Sequence, residues 1–248
     1  MPLSSDTNNV LSPSHRLHGS NVERPAVDPP SDTGSGDERS CVDEVYQQIL
    51  LRIIRGEFSG GMELKSTQLA RQLGVSRTPI VAGLDRLVTD GILRKEKNKR
   101  AVVRHGAENW LVEIHELRLL LEPTAAGWAA RHITDSAIDR LQTLASEAAP
   151  EGRRDWHEAA RDFDYALHLA VADFADNLPL KETIRKCWSF KALSYAIGRD
   201  APQTLEAGYR QHRIILNALA RHDQPGARDA MEVHLRSAAE CRPEQRIV

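Results

Sequence analysis

Between Val42 and Gly91 the chain is punctuated as three short helices, and that punctuation constrains the fold more than any other feature. Val42, Val45, Tyr46, Ile49, Leu50, Ile53 and Ile54 recur at i, i+3, i+4, i+7, i+8, i+11 and i+12, one apolar stripe on a helix. Gly56 ends the stripe and Ser59-Gly60-Gly61 makes a turn. Ser66 is placed to cap a helix over Thr67–Leu73. Gly74 permits the left-handed conformation that a sharp helix–helix turn needs. Ser76 can cap a third helix running to about Asp90, with Pro79 in its first turn and Gly91 as its stop. Two extended pieces follow, Ile92–Lys95 and Ala101–Arg104, joined by Lys97-Asn98-Lys99-Arg100. Helix, helix, tight turn, helix and basic hairpin form the order of a winged helix-turn-helix.

That order fits duplex DNA. The third helix would enter the major groove with its N-terminal residues nearest the bases. Arg77 stands there and can bond guanine twice, while Ser76 and Thr78 reach phosphates. Lys97, Lys99 and Arg100 at the wing tip can follow the backbone or the minor groove. The rival is a small helical domain with a solvated basic face. A net charge of −2 over 248 residues would disfavour nucleic acid if it were evenly spread, but the charge is uneven. Residues 41–105 hold 12 basic and 7 acidic side chains, residues 1–40 hold 3 and 6, and residues 106–248 hold 18 and 22. A basic head therefore sits between two acidic segments. Residues 1–40, with five Pro, eight Ser and no aromatic residue, read as a disordered tail.

Residues 106–248 show helical periodicity and no strand alternation. Helices are expected over Glu108–His132, Thr134–Ala148, Arg154–Ala172, Pro179–Ala196, Gln203–Arg221 and Pro225–Glu240. The fold class is thus mainly α: a winged head over 41–105 and an antiparallel helical bundle over 106–248. No apolar run is long enough to span a membrane, and the first thirty residues lack a signal-peptide core. Cys41, Cys187 and Cys241 form no CxxC pair, which fits a reducing cytoplasm.

Four polar residues stand out among the apolar positions of the bundle. Asp164 and His168 are four apart and share a helix face. His212 and His234 lie equally far before and after Asp223, so an antiparallel pair of helices brings them to one height. One oxygen and three nitrogens from three helices suit a divalent transition ion such as zinc, nickel or manganese, with open positions for water or a carboxylate. The other histidines, His15, His18, His105, His115, His132, His157 and His222, read as surface or structural.

Leu69-Ala70-Arg71-Gln72-Leu73-Gly74-Val75-Ser76-Arg77-Thr78-Pro79, followed by Leu84, Leu87 and Gly91, resembles the N-terminal domain of GntR-family bacterial transcription regulators. Family members usually continue the third helix as Val-Arg-Glu-Ala-Leu, where this chain has Ile80-Val81-Ala82-Gly83-Leu84. Val81 thus replaces an Arg that typically contacts DNA in the family, and Gly83 weakens the helix by roughly 1 kcal/mol against Ala. Thr67 stands where some members have another contacting Arg, and Arg100 where the wing usually has Gly. Ser66 and Thr67 complete the expected DNA-contacting set.

Arg118-Leu119-Leu120-Leu121-Glu122-Pro123, Asp164-x-x-x-His168, Asn177-x-Pro179, His212-x-x-Ile215 and Asp223 with His234 resemble the FCD effector-binding domain of the FadR-like GntR subfamily. The resemblance implies a metal held by Asp164, His168, His212 and His234. It also implies a small organic-acid or sugar-acid effector, and a homodimer on a palindromic operator. Arg118 is a candidate effector contact or an ion-pair partner of a neighbouring Glu; Asn177 is a candidate effector contact or a helix cap. The expected action on transcription is repression, with activation as the alternative. The competing class is a metal-dependent hydrolase or oxygenase with an accessory DNA-binding domain, although no second carboxylate stands at a spacing suited to general-base work.

Overall fold

The computed structural model describes residues 35–96, 100–150, 156–196 and 202–240. The tail as far as residue 34, the wing-tip residues Lys97, Asn98 and Lys99, and Cys241 lie outside the described residues.

The head contains α1 (Ser35–Ile54), β1 (Glu63–Leu64), α2 (Ser66–Leu73), α3 (Arg77–Thr89), β2 (Leu93–Lys95) and β3 (Ala101–Val103). The stripe on α1 is its core face: Val45, Tyr46, Ile49, Leu50 and Ile53 are all buried. The helix starts at Ser35, inside the segment expected to be tail. Its first residues carry no apolar period, but an established helix extends at little cost through polar sequence. Gly74 ends α2 at φ 69°, the left-handed geometry expected of the turn into α3. Ser66 is not the cap of α2; it is the first helical residue, and Lys65 occupies the cap position without a side-chain bond. Ser76 does hold the cap position of α3, also without a side-chain bond.

The hairpin is part of a three-stranded antiparallel sheet in the order β1-β3-β2. Leu64 pairs with Ala101 on one side of β3, and Lys95 pairs with Ala101 on the other. β1 was not foreseen, since two residues are too few to show alternation.

The bundle follows through a 3-10 turn at Ala107–Asn109, where one continuous helix from Glu108 was expected. It comprises α4 (Trp110–His132), α5 (Asp135–Glu147), α6 (Trp156–Phe174), α7 (Leu178–Ala196), α8 (Pro202–Ala220) and α9 (Gln224–Glu240). Ala125, Ala126, Ala129 and Ala130 are fully buried on α4, which lets that helix lie close along α9. Phe163, Leu167, Trp188, Ile215 and Met231 fill the core from the other helices. Among the described residues no helix is long and apolar enough to cross a membrane.

Candidate metal centre and DNA-facing surface

α6 supplies Asp164 and His168 from one face, as the spacing of four requires. α8 and α9 are joined by a tight turn in which His222 takes φ 54°. That turn folds α9 back on α8 and brings His212 beside His234, Nε2 to Nε2, at 3.1 Å. His212 Nε2 lies 3.1 Å from Asp164 Oδ1, and His168 Nε2 lies 3.3 Å from the same oxygen. His168 and His212 are 3.4 Å apart through their Nε2 atoms. The four donor atoms all fall within 4.8 Å of one another, and the three imidazoles are buried.

These distances test whether the residues fit an ion. Imidazole and carboxylate bind zinc-like ions at about 2.0–2.1 Å, so adjacent ligands of a tetrahedral site stand about 3.3 Å apart. The His212–His234, His212–Asp164, His168–Asp164 and His168–His212 separations match that edge, and no pair exceeds 4.8 Å. The far side of the rings fits as well, because metal-binding histidines anchor their other nitrogen. His168 Nδ1 meets Glu122 Oε2, and His234 Nδ1 meets Gln211 Oε1 at 3.1 Å.

Glu122 was not singled out in the sequence, yet it organises the floor of the site. It is fully buried on α4 and accepts from Arg118 Nε at 2.6 Å and from Trp188 Nε1 at 3.0 Å. Burial pushes its carboxyl up, but Arg118 and His168 outweigh burial and hold it near 2. Burial likewise raises Asp164, and the neighbouring His212 and His168 bring it well below the usual carboxylate range. Burial pushes His212 and His234 below the ordinary imidazole value, which favours the neutral form that binds a metal. Burial also acts against protonation of His168, but there Glu122 and Asp164 prevail and raise it.

Arg118 is only 2% exposed, paired with Glu122, and lies 4.1 Å over the Trp188 ring. This is the ion-pair arrangement rather than a side chain reaching for solute. Asn177 Oδ1 accepts the Leu180 N–H at 3.0 Å, so Asn177 caps the start of α7. His115, assigned to a structural role, bonds the Leu235 carbonyl through Nε2 at 2.8 Å.

On the head, Thr67, Ser76, Arg77 and Thr78 are exposed together at the facing ends of α2 and α3. Arg77 Nη2 donates to Ser66 Oγ at 3.4 Å. Arg100 lies at the base of the wing, paired with Glu63 at 2.9 Å. Lys97 and Lys99 are outside the described residues.

The head and the bundle share contacts on α7. Phe190 is 2% exposed and belongs to the head's core cluster, edge-on to Trp110 with ring centres 5.5 Å apart. Lys186 Nζ lies 3.1 Å from Asp90 Oδ1 at the end of α3, and Tyr46 donates to the other oxygen of Asp90 at 2.7 Å.

Comparison with known proteins places both segments. The family described as "Bacterial regulatory proteins, gntR family" matches residues 42–103, and the FCD domain matches residues 113–237. The Nta operon transcriptional regulator of Aminobacter aminovorans is 33% identical over 66% of this chain and 76% of its own length. The transcriptional repressor NanR of Edwardsiella tarda is 27% identical over 80% of this chain and 84% of its own. Among solved structures, Escherichia coli McbR/YncC has a TM-score of 0.56 at 24% identity, covering 81% of this chain and 93% of that one. At that identity the likeness shows the fold alone.

Proposed function

Since the chain belongs to the gntR family of bacterial transcription regulators and carries an FCD domain, we propose that a small organic acid bound at a metal ion in the bundle controls its affinity for operator DNA. The observation that carries this reading is the convergence of four donor atoms from α6, α8 and α9 within 4.8 Å. Asp164, His168, His212 and His234 would hold the ion, with zinc the leading candidate and nickel or manganese as others. The ion would supply a Lewis-acidic centre with positions open to a carboxylate or sugar acid. Arg118 and Asn177 are committed to Glu122 and to the α7 cap, so the ion rather than either side chain would supply the attraction for an anion.

Coupling to DNA follows from α7. Trp188 bonds Glu122 beneath His168, while Phe190 and Lys186 on the same helix grip the head. An effector shifts operator affinity only by preferring one arrangement of head and bundle over another. The head would act in pairs, with two copies reading two half-sites of a palindrome. Exposed Leu117, Leu120 and Trp128 on one side of α4 give the bundle an apolar surface of the kind a second copy covers. The matched families and relatives are regulators and not enzymes, so the hydrolase reading falls away.

The test combines metal analysis of purified protein with operator titration. Stoichiometric metal is expected in the wild type and its loss in a His212→Ala/His234→Ala double variant. Carboxylic acids that shift the wild-type melting temperature are expected to alter operator affinity only when metal is present. Metal retained by the double variant, or acids that act equally after chelation, would refute the reading.

A further inference from the structure

The free face of α3 changes chemistry along its length. Arg77, Thr78, Val81, Ala82 and Asp85 are exposed, while Ile80, Gly83, Leu84 and Leu87 turn into the head. Asp85 at the far end is negative and tied to Lys95 Nζ at 2.8 Å, so it has nothing to offer a phosphate. The cationic and apolar groups of this face therefore lie in its first half, since Arg86 is turned toward α1, paired with Asp43 and lying over the Tyr46 ring. There the face presents one guanidinium, one hydroxyl and a run of methyl groups from Thr78, Val81 and Ala82. Val81 is the largest of these apolar groups and is 43% exposed, one turn after Arg77.

A single exposed valine is ordinary on a protein surface. This one lies in line with the residue best placed to read a base. In the major groove the hydrogen-bonding edges of guanine, cytosine and adenine would be stripped of water by an isopropyl group that returns no bond. The thymine C5-methyl is the one base-edge feature that an apolar side chain satisfies. We propose that Val81 is a specificity-determining residue that reads a thymine methyl in each half-site. The rise of α3 puts it about 6 Å beyond Arg77, roughly two base-pair steps of the duplex. This inference rests on α3 being the groove-reading helix.

The experiment uses the full-length protein and a random duplex pool. Selected half-sites are expected to contain a thymine whose replacement by deoxyuridine, which lacks only the methyl, weakens wild-type binding about fourfold, the size of one buried methyl group. The same replacement should cost Val81→Ala less than about twofold. Val81 is outside the core, so the variant should melt as the wild type does. An enriched pool in which uracil serves as well as thymine at every position overturns the role of Val81 alone. So does a methyl dependence that persists undiminished in Val81→Ala. A pool that never enriches overturns this role together with the groove-reading assignment of α3.

Discussion

Glu122 shows how much one buried carboxylate can organise. It joins Arg118, Trp188 and His168, and so fixes which nitrogen of His168 faces the other ligands. Glu122→Gln is expected to lower metal affinity about 10–100-fold, measured by competition with a chromophoric chelator. It also removes the charge that Glu122 sets against the buried Arg118 guanidinium, and the urea midpoint should fall. Unchanged metal affinity would show that His168 needs no anchor. Gly83 carries a different lesson. By helix propensity its replacement with Ala should stabilise α3 by about 1 kcal/mol. A Cβ at that position would stand 2.9 Å from Val45 Cγ1 and 3.5 Å from the Tyr46 amide nitrogen. The glycine is there because α1 crosses α3 closely. Gly83→Ala is therefore expected to give no gain in denaturant midpoint, whereas the same change in a Val45→Ala background should gain about 0.5–1 kcal/mol. A gain in the wild-type background would mean that α1 yields freely.

At the scale of elements, α7 joins the two halves together with the start of α4, whose Trp110, Leu111 and Ile114 also pack on the head's core. Phe190→Ala is expected to cost about 3–5 kcal/mol by emptying an aromatic site. Calorimetry should then resolve separate transitions for head and bundle. A single transition at the wild-type temperature would show that α7 is not the connection. What could be read from the sequence divides along the same lines. Asp164 with His168, and His212 with His234, were legible as pairs because one helix period and one turn fix them locally, while the meeting of the two pairs was carried by the family resemblance. Gly74 and the order of α2 and α3 were legible for the same reason. Glu122 and Trp188 were not, because their meaning arises only where α4, α6 and α7 meet, and each looks ordinary in its own helix. Glu122 is visible in sequence only as an ion-pair neighbour of Arg118, four residues away. Phe190 is likewise one apolar residue among others on α7; nothing local says that it belongs to the head's core. β1 is only two residues long, and the start of α1 is polar, so neither offers a period to detect.

Across the whole molecule, a net charge of −2 conceals a separation of charge between a basic head and an acidic bundle. Such a chain can present its positive end to DNA while the acidic bodies stay clear of the phosphates. For the proposed dimer, sedimentation should give about twice the 27.7 kDa of one chain, and footprinting should find two half-sites spaced by about 10–10.5 base pairs or a multiple of it. A monomeric mass on bound operator would exclude the paired reading.

The seat of Phe190 in the head has a consequence for modularity. A head cut at the sequence boundary near residue 105 would carry an open socket where that ring belongs. Fusing it to a foreign bundle would move a domain but leave behind part of its interior. Chimeric regulators assembled from this chain should therefore be joined so that α7 travels with the head, or should fill the socket with a larger side chain from within the head itself. Recombination that exchanges effector domains meets the same demand, and functional hybrids should arise most readily between chains that keep an aromatic residue at this point of α7.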